Sequence, residues 1–488
     1  MTALFFMRRT KRAADKIHKP SPACREPDRI PHRKVLVYKQ GLFCLSKLTY
    51  KEFDKKTLYY RNRPYKQRRI CMSQQLDARA REQGTRFLIY PQNKTVPGFE
   101  QPEVVYINVP PGSVQAGPED ERMYVVDALD KIPFGFSGSP DFAYRYQGPH
   151  APPVQPDAQG HFDHLRPGDR EFSAATMYAT VRRVMDIWED YFGRTIPWPF
   201  NPPKLLLIPR VEWGNAHSGL EGFLEFGFPA RPDSHGLDYD NPYCENFDVL
   251  AHEMGHTIKY SVIGVPQIQI TDEYGGHHEA FGDLVAIVST LHFDSVLDSL
   301  LHSTKGNLFS VNELSRMGEL RNGRSIRIAF NNKKMSTVGR EAHDLSEPFT
   351  GGAFDILVEM FQINLIERGL LSQQLGDRAY SAHFEQVPEV QQQFAALYQG
   401  KEKEFKDALL DARDRFGKLM ATAWSNTSKE DLHYGKVLQD ILNADRQLYE
   451  GKYERTIRSC FDWREITTNT AVEAPRLETH LVDELVTV

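Results

Sequence analysis

The sequence predicts an α+β protein, and three observations carry that prediction. Between residues 85 and 130, short apolar runs (RFLIY, EVVYINV, MYVVDAL) are separated by Pro-Gly breaks, the pattern of short strands. From 171 onward, Tyr178, Val181, Met185, Trp188 and Phe192 recur every three or four residues, which stripes one face of a helix. The chain also has 488 residues, 40% hydrophobic and 26% charged, enough to bury a large core and unlike a disordered, collagenous or coiled-coil composition.

In chain order, residues 1–80 form a basic arm with 21 Lys+Arg against 6 Asp+Glu, for which no fold is predicted. The rest of the chain is correspondingly acidic. Such an arm reads as a solvated extension docking on its own acidic body, with nucleic-acid or anionic-surface contact as the alternative. Residues 81–134 form a β-rich segment, and 135–160, dense in Pro and Gly, a linker or extended crossing segment. The helix that opens the region 161–370 should stop at Gly193. The strands KLLLIP and EGFLEFGF follow it. Residues 371–470 read as charged amphipathic helices and 471–488 as an irregular acidic tail.

Five widely spaced cysteines without a CxxC pair make poor material for a disulfide framework or a thiolate metal site. No run of 18 apolar residues occurs, so no membrane span is expected. The N-terminus MTALFFMRRTKRAADKIHKP lacks the apolar core of a secretory signal. The default expectation is a cytoplasmic protein, with signal-independent secretion left open and oligomeric state unassigned.

Chemistry concentrates in NFDVLAHEMGHTIKY. His252 and His256, four residues apart, emerge from one helical face and can grip one ion, with Glu253 beside them. The plain alternative is a helix with two ordinary histidines. However, Phe247, Val249, Leu250 and Ala251 place this helix in a core, where two unpaired imidazoles are costly. Downstream, GGHHEAFGDLVAIV sets Glu279 and Asp283 on another apolar helix. Two carboxylates facing a core need a partner, either a metal site or a salt bridge.

HEMGH, followed 23 residues after its second His by Glu279 in HEAFGD, resembles the thermolysin-like zinc metallopeptidases of the gluzincin clan, over roughly 162–370. The resemblance implies a two-lobe zincin catalytic unit, a mixed β-sheet lobe and a helical lobe, with the basic and β-rich segments as an N-terminal extension. It implies peptide or protein substrates and a zinc ion held by His252, His256 and Glu279. Glu253 is then the general base, and Asp283 the carboxylate orienting His252. In AHDLSEPFTGGAFDILVEMF, a core helix is expected to start near Gly351-Gly352, with His343 before it donating to the tetrahedral intermediate and Asp344 orienting His343. Asn215-Ala216 resembles the edge-strand element that pairs with substrate, and Val249 falls where the family builds an apolar pocket.

The sequence also departs from the family. The catalytic Tyr falls on Ile270, with Tyr274 as the nearby substitute, and the substrate-clamping Arg is not assignable among Arg316, Arg321, Arg324 and Arg327. Asp248 matches one calcium ligand, but its acidic partner falls on Thr290, so the sequence leaves calcium dependence open. Neither His277 nor His278 is expected as a ligand. The rival expectations are a catalytically impaired peptidase-like scaffold whose basic arm carries the function, and a zinc hydrolase of non-peptide bonds.

Overall fold

The computed structural model describes residues 72–468, apart from 140, 232–235, 311, 313, 322–323 and 382–385 and the side chains of 72–75 and 316–327. The expectations for residues 1–71 of the basic arm and for the 471–488 tail lie outside the described residues.

The architecture is α+β. Helix α1 (Met72–Gln83) leads into an antiparallel pair, β1 (Thr85–Ile89) and β2 (Glu103–Ile107). A second sheet takes β3 (Met123–Val125), β4 (Leu205–Ile208), β5 (Ala216–Gly219) and β6 (Phe223–Phe226) in the order β3-β4-β6-β5. The pairs β3/β4 and β4/β6 are parallel, whereas β5 runs antiparallel to β6 at the edge. Residues 128–146 lie against this sheet: Phe134 and Phe142 pack on Phe223. There Lys131, the Phe134 amide and His217 all converge on Glu225, which is wholly buried.

Helix α2 (Arg170–Phe192) ends on Gly193, whose φ of 68° suits a residue without a Cβ. Its apolar stripe is where the spacing puts it, but the opposite face is buried as well, which the stripe alone does not predict. Polar partners make that burial affordable: Arg182 pairs with Asp120 and Asp186, Arg183 with Asp77, and Asp186 accepts from the Asn108 amide. A helix packed on both sides keeps polar residues only where each finds a partner.

Helices α3 (Phe247–Val262), α4 (Asp272–Thr290) and α6 (Ala342–Glu367) form the heart of the helical half. The side chain of Asn246 accepts the first amides of α3, and that of Thr271 the Tyr274 amide of α4. Helix α5 (Asp294–Thr304) and a hairpin of β7 (Arg316–Arg321) and β8 (Arg324–Ile328) separate α4 from α6; β7 lies beside α3 and α4. The four arginines considered for substrate clamping sit on this hairpin, and their side chains lie outside the described part.

Helix α6 corrects one expectation. It begins at Ala342, about two and a half turns before Gly351-Gly352, because the side chain of Glu341 caps it by accepting from the amides of His343 and Asp344. The glycines serve packing instead: a Cβ on Gly351 would stand 2.4 Å from the Arg464 guanidinium, and one on Gly352 2.7 Å from the Phe461 ring. By length and composition α6 is apolar enough to cross a membrane, but here it is a buried core helix. The helices α7 (Gln373–Ser381), α8 (Val387–Tyr398), α9 (Glu402–Trp424), α10 (Tyr434–Tyr449) and α11 (Glu454–Asp462) complete the helical half and share one apolar core with α2, α3, α4 and α6.

Candidate metal centre

The site is built where α3 crosses α4, and two glycines permit the crossing. A Cβ on Gly255 would meet the Gly282 Cα at 2.8 Å, and one on Gly282 would meet the His252 ring at 2.7–3.0 Å. With both positions bare, the helices close until the His252 ring lies against α4. His252 Nε2 then stands 3.4 Å from Glu279 Oε2, and His256 Nε2 stands 3.7 Å from Glu279 Oε1. The two imidazoles are nearly perpendicular, their ring centres 4.5 Å apart.

These distances fit a metal. Two ligand atoms each 2.0–2.1 Å from a tetrahedral zinc stand about 3.4 Å apart. One donor atom from each of His252, His256 and Glu279 lies within 4.8 Å of the others, and these three form the one such donor group among the described residues. All three are at least 95% buried, so the donors are gathered out of water in a set of two imidazoles and one carboxylate. That set suits zinc, with a fourth position left open.

The surroundings hold the donors in place. Asp283, one turn beyond Glu279, stands 3.0 Å from His252 Nδ1, which leaves Nε2 for the metal side. Thr350, on α6, donates to the other oxygen of Asp283 at 3.3 Å. Thr350 was missed in the sequence, since nothing local to a residue in α6 signals a partner in α4. Glu253 is buried on α3 between the two histidines. Val249 is buried in the core one turn before Glu253. Ala216 lies on the edge strand β5, which packs beside α3, and the Asn215 carbonyl accepts from the Gly227 amide just ahead of it.

His343 reaches the same site from α6: its Nε2 stands 3.3 Å from Glu279 Oε2, with the side chain 28% exposed. Its orienting partner is Glu341 rather than the expected Asp344, with His343 Nδ1 2.6 Å from Glu341 Oε1. The reason is the cap, because one Glu341 carboxylate serves both the helix amides and the ring. Burial pushes the Glu341 carboxyl up, but the His343 ring and these amides outweigh it and hold the group low.

His277 and His278 are both buried and sit behind the donors. His278 stacks on the face of His256, ring centres 3.9 Å apart, and the Tyr260 ring lies 4.7 Å from that of His278. His277 packs against Phe349 and Phe281. Burial drives both imidazoles well below the usual histidine range, as does the charge of Lys259. Lys259 is itself wholly buried, donating to the Tyr274 carbonyl at 2.9 Å and lying over the Tyr274 ring. The hydroxyl of Tyr274, the substitute considered for the family's tyrosine, donates to the Gly264 carbonyl at 2.8 Å. At Thr290, where the family has the acidic partner of Asp248, the threonine hydroxyl donates to Asp248 at 3.1 Å.

No family model matches the sequence, and no curated protein matches it. Among solved structures, the chain is similar to the precursor of protealysin, a metalloproteinase from Serratia proteamaculans, at 12% identity and a TM-score of 0.42, covering 72% of this chain and 90% of that one.

Proposed function

We propose that this protein is a zinc-dependent metallopeptidase of the thermolysin-like kind. The observation that carries the reading is the convergence of His252, His256 and Glu279, with Asp283 on the outer nitrogen of His252 and Glu253 retained beside the donors. A site kept only for structure needs the ligands and no base.

A zinc ion held there supplies Lewis acidity, which brings the pKa of water down to about 7 and polarises the scissile carbonyl. Glu253 takes the proton of the attacking water and returns it to the leaving amine. Asp283 holds His252 in the tautomer whose Nε2 faces the metal. His343, held at Nδ1 by Glu341, turns its Nε2 toward the developing oxyanion. The edge strand β5 offers unpaired backbone groups beside α3, which suits an extended peptide added as a further strand at Asn215-Ala216. Val249 contributes to an apolar pocket for the residue after the scissile bond.

The test pairs elemental analysis with cleavage of a proteome-derived peptide library by wild type and Glu253→Gln. The reading expects about one zinc per chain in both proteins and a loss of hydrolysis of at least about 10²-fold in the variant. A wild type that holds zinc and cleaves nothing would instead identify a zinc-binding scaffold, with the basic arm as its working part.

A further inference from the structure

Away from the metal centre, one buried carboxylate in the four-stranded sheet gathers three donors. Glu225 on β6 is wholly buried, and one of its oxygens takes both His217 Nε2 and the Phe134 amide at 2.8 Å. The other oxygen pairs with Lys131, whose ammonium also donates to the Ile132 carbonyl at 2.9 Å and lies over the Phe134 ring. Lys131 and His217 are each only 5% exposed. An apolar set of the same shape would fill this place about as stably, because taking a carboxylate and an ammonium out of water offsets most of their attraction. What a polar set adds is register.

His217 is the β5 residue directly opposite Glu225. The Gly227 amide donates to the Asn215 carbonyl at 2.9 Å, so Asn215 and Gly227 form a hydrogen-bonded pair. Bonded and non-bonded pairs alternate along an antiparallel ladder. His217 and Glu225 are therefore the next bonded pair, and Ala216 and Ser218 turn their N–H and C=O groups away from β6. Among the described residues no strand pairs with that side of β5. The two outward rungs thus flank His217, one on each side.

Strand β5 is four residues long and bonded on one side, so a slip costs it few contacts. A slip of one residue would exchange its two faces. Glu225 would lose its ring donor, Ala216 would leave the apolar core, and the outward rungs would pass to Asn215 and His217. Resting on the metallopeptidase reading above, we propose that His217 is a positioning residue for the peptide substrate, its bond to the Glu225–Lys131 pair fixing which backbone groups of β5 face an added peptide strand. The ring acts through the backbone on either side of it.

His217→Phe keeps a ring beside Trp213 and Phe223 and removes the bond to Glu225, which retains Lys131 and the Phe134 amide. The probe is a nested series of peptides that share one scissile bond, from a blocked dipeptide to members long enough to span both rungs. At unchanged zinc content, KM for the longest members should rise about 10-fold with kcat little changed, as for the loss of roughly two backbone hydrogen bonds. For the blocked dipeptide, which has no residues to lay along β5, KM should change less than about 2-fold. His217→Gln, whose amide nitrogen can take the place of Nε2, should restore most of the long-peptide KM. His217→Asn, too short to reach Glu225, carries the same expectation as the Phe variant should the phenyl ring not pack. A long-peptide KM unchanged in a folded Phe or Asn variant, or one raised equally for the dipeptide, would overturn the assignment and leave the peptidase reading standing. Loss of folding in both variants would also overturn it, by making the bond a requirement of the fold alone. A zinc-loaded wild type that cleaves no member of the series would refute the peptidase reading itself, and this inference with it.

Discussion

Gly282→Ala adds one methyl group where α4 touches the ring of His252, and its consequence can be worked from distance alone. The new Cβ would stand 2.7 Å from Nδ1, 2.8 Å from Cε1 and 3.0 Å from Cγ of that ring, against roughly 3.4 Å for ordinary contact. The ring or the helix must therefore yield by about 0.7 Å. His252 cannot turn aside cheaply, because its Nδ1 is tied to Asp283 at 3.0 Å and its Nε2 is aimed at the donors of Glu279. Helix α4 cannot back away without carrying Glu279 and Asp283 with it. Metal–ligand distances tolerate about 0.2 Å, so either response removes one of three protein ligands. Zinc affinity should fall at least about 10²-fold, beyond what loss of an orienting partner usually costs. Overpacking itself should cost about 1–3 kcal/mol, which leaves a folded protein. Competition with a chromophoric chelator reads the affinity, and circular dichroism with thermal melting reads the fold. A folded Gly282→Ala protein with wild-type zinc affinity would refute the close-crossing argument. Its expected companion, Gly255→Ala, acts through the helix spacing alone and should cost more stability than metal.

Asp283→Asn should weaken zinc binding by about 10–100-fold while the chain stays folded, and Thr350→Val, which removes only a 3.3 Å bond to the far oxygen, should cost several-fold less in the same chelator titration. His343→Ala should lower kcat about 10²–10³-fold without loss of zinc, and Glu341→Gln should lower it less, since the amide still accepts from Nδ1; equal zinc-loaded activity in all three proteins would remove His343 from the mechanism. Glu359 gives a pH prediction: burial, with the carboxylates of Asp355 and Asp377, pushes it up to about 7 from an ordinary value of 4.5. Between pH 4.5 and 7 the unfolded chain releases this proton before the folded one does, so stability is lost as pH rises through that window. Glu359→Gln should therefore gain about 1–2 kcal/mol at pH 8, allowing for its partial solvent contact, and nothing at pH 4; a melting temperature unchanged at pH 8 would contradict the assignment.

The legibility of this chain follows the range of the physical signals. Strands β1, β2, β4 and β6 were readable because alternation and turn residues are local, and α2 and its glycine stop were readable from a three-and-four spacing. The metal donors were readable for a similar reason. His252 and His256 are one turn apart on one helix, and Glu279 and Asp283 are one turn apart on another, so each half of the site is a short-range pattern. What failed was whatever depends on which helices touch. Glu341 displaced Asp344 as the partner of His343 because a cap decides where α6 begins, and that decision moved the helix start about two and a half turns ahead of the glycines. Gly351 and Gly352 looked like a helix boundary, yet their role is to admit Arg464 and Phe461, more than 100 residues away in the chain.

The packing of Tyr260 on His278 was not read from the sequence, although its spacing from His256 is as local as the motif itself. A tyrosine in an amphipathic stretch is usually a core residue, and the pattern cannot tell a ring that ends in the core from one that ends at a cleft. The difference lies in what stands beyond it. His278 comes against His256 through the same crossing of α3 and α4 that brings Glu279 to the donors, and the ring of Tyr260 rests on His278. One geometric cause, two helices closing on two glycines, thus gathers the ligands and fixes the orienting carboxylate. A substitution that loosens the crossing should therefore disturb the gathering of the donors and the orientation of His252 together, whereas Asp283→Asn should touch only the second.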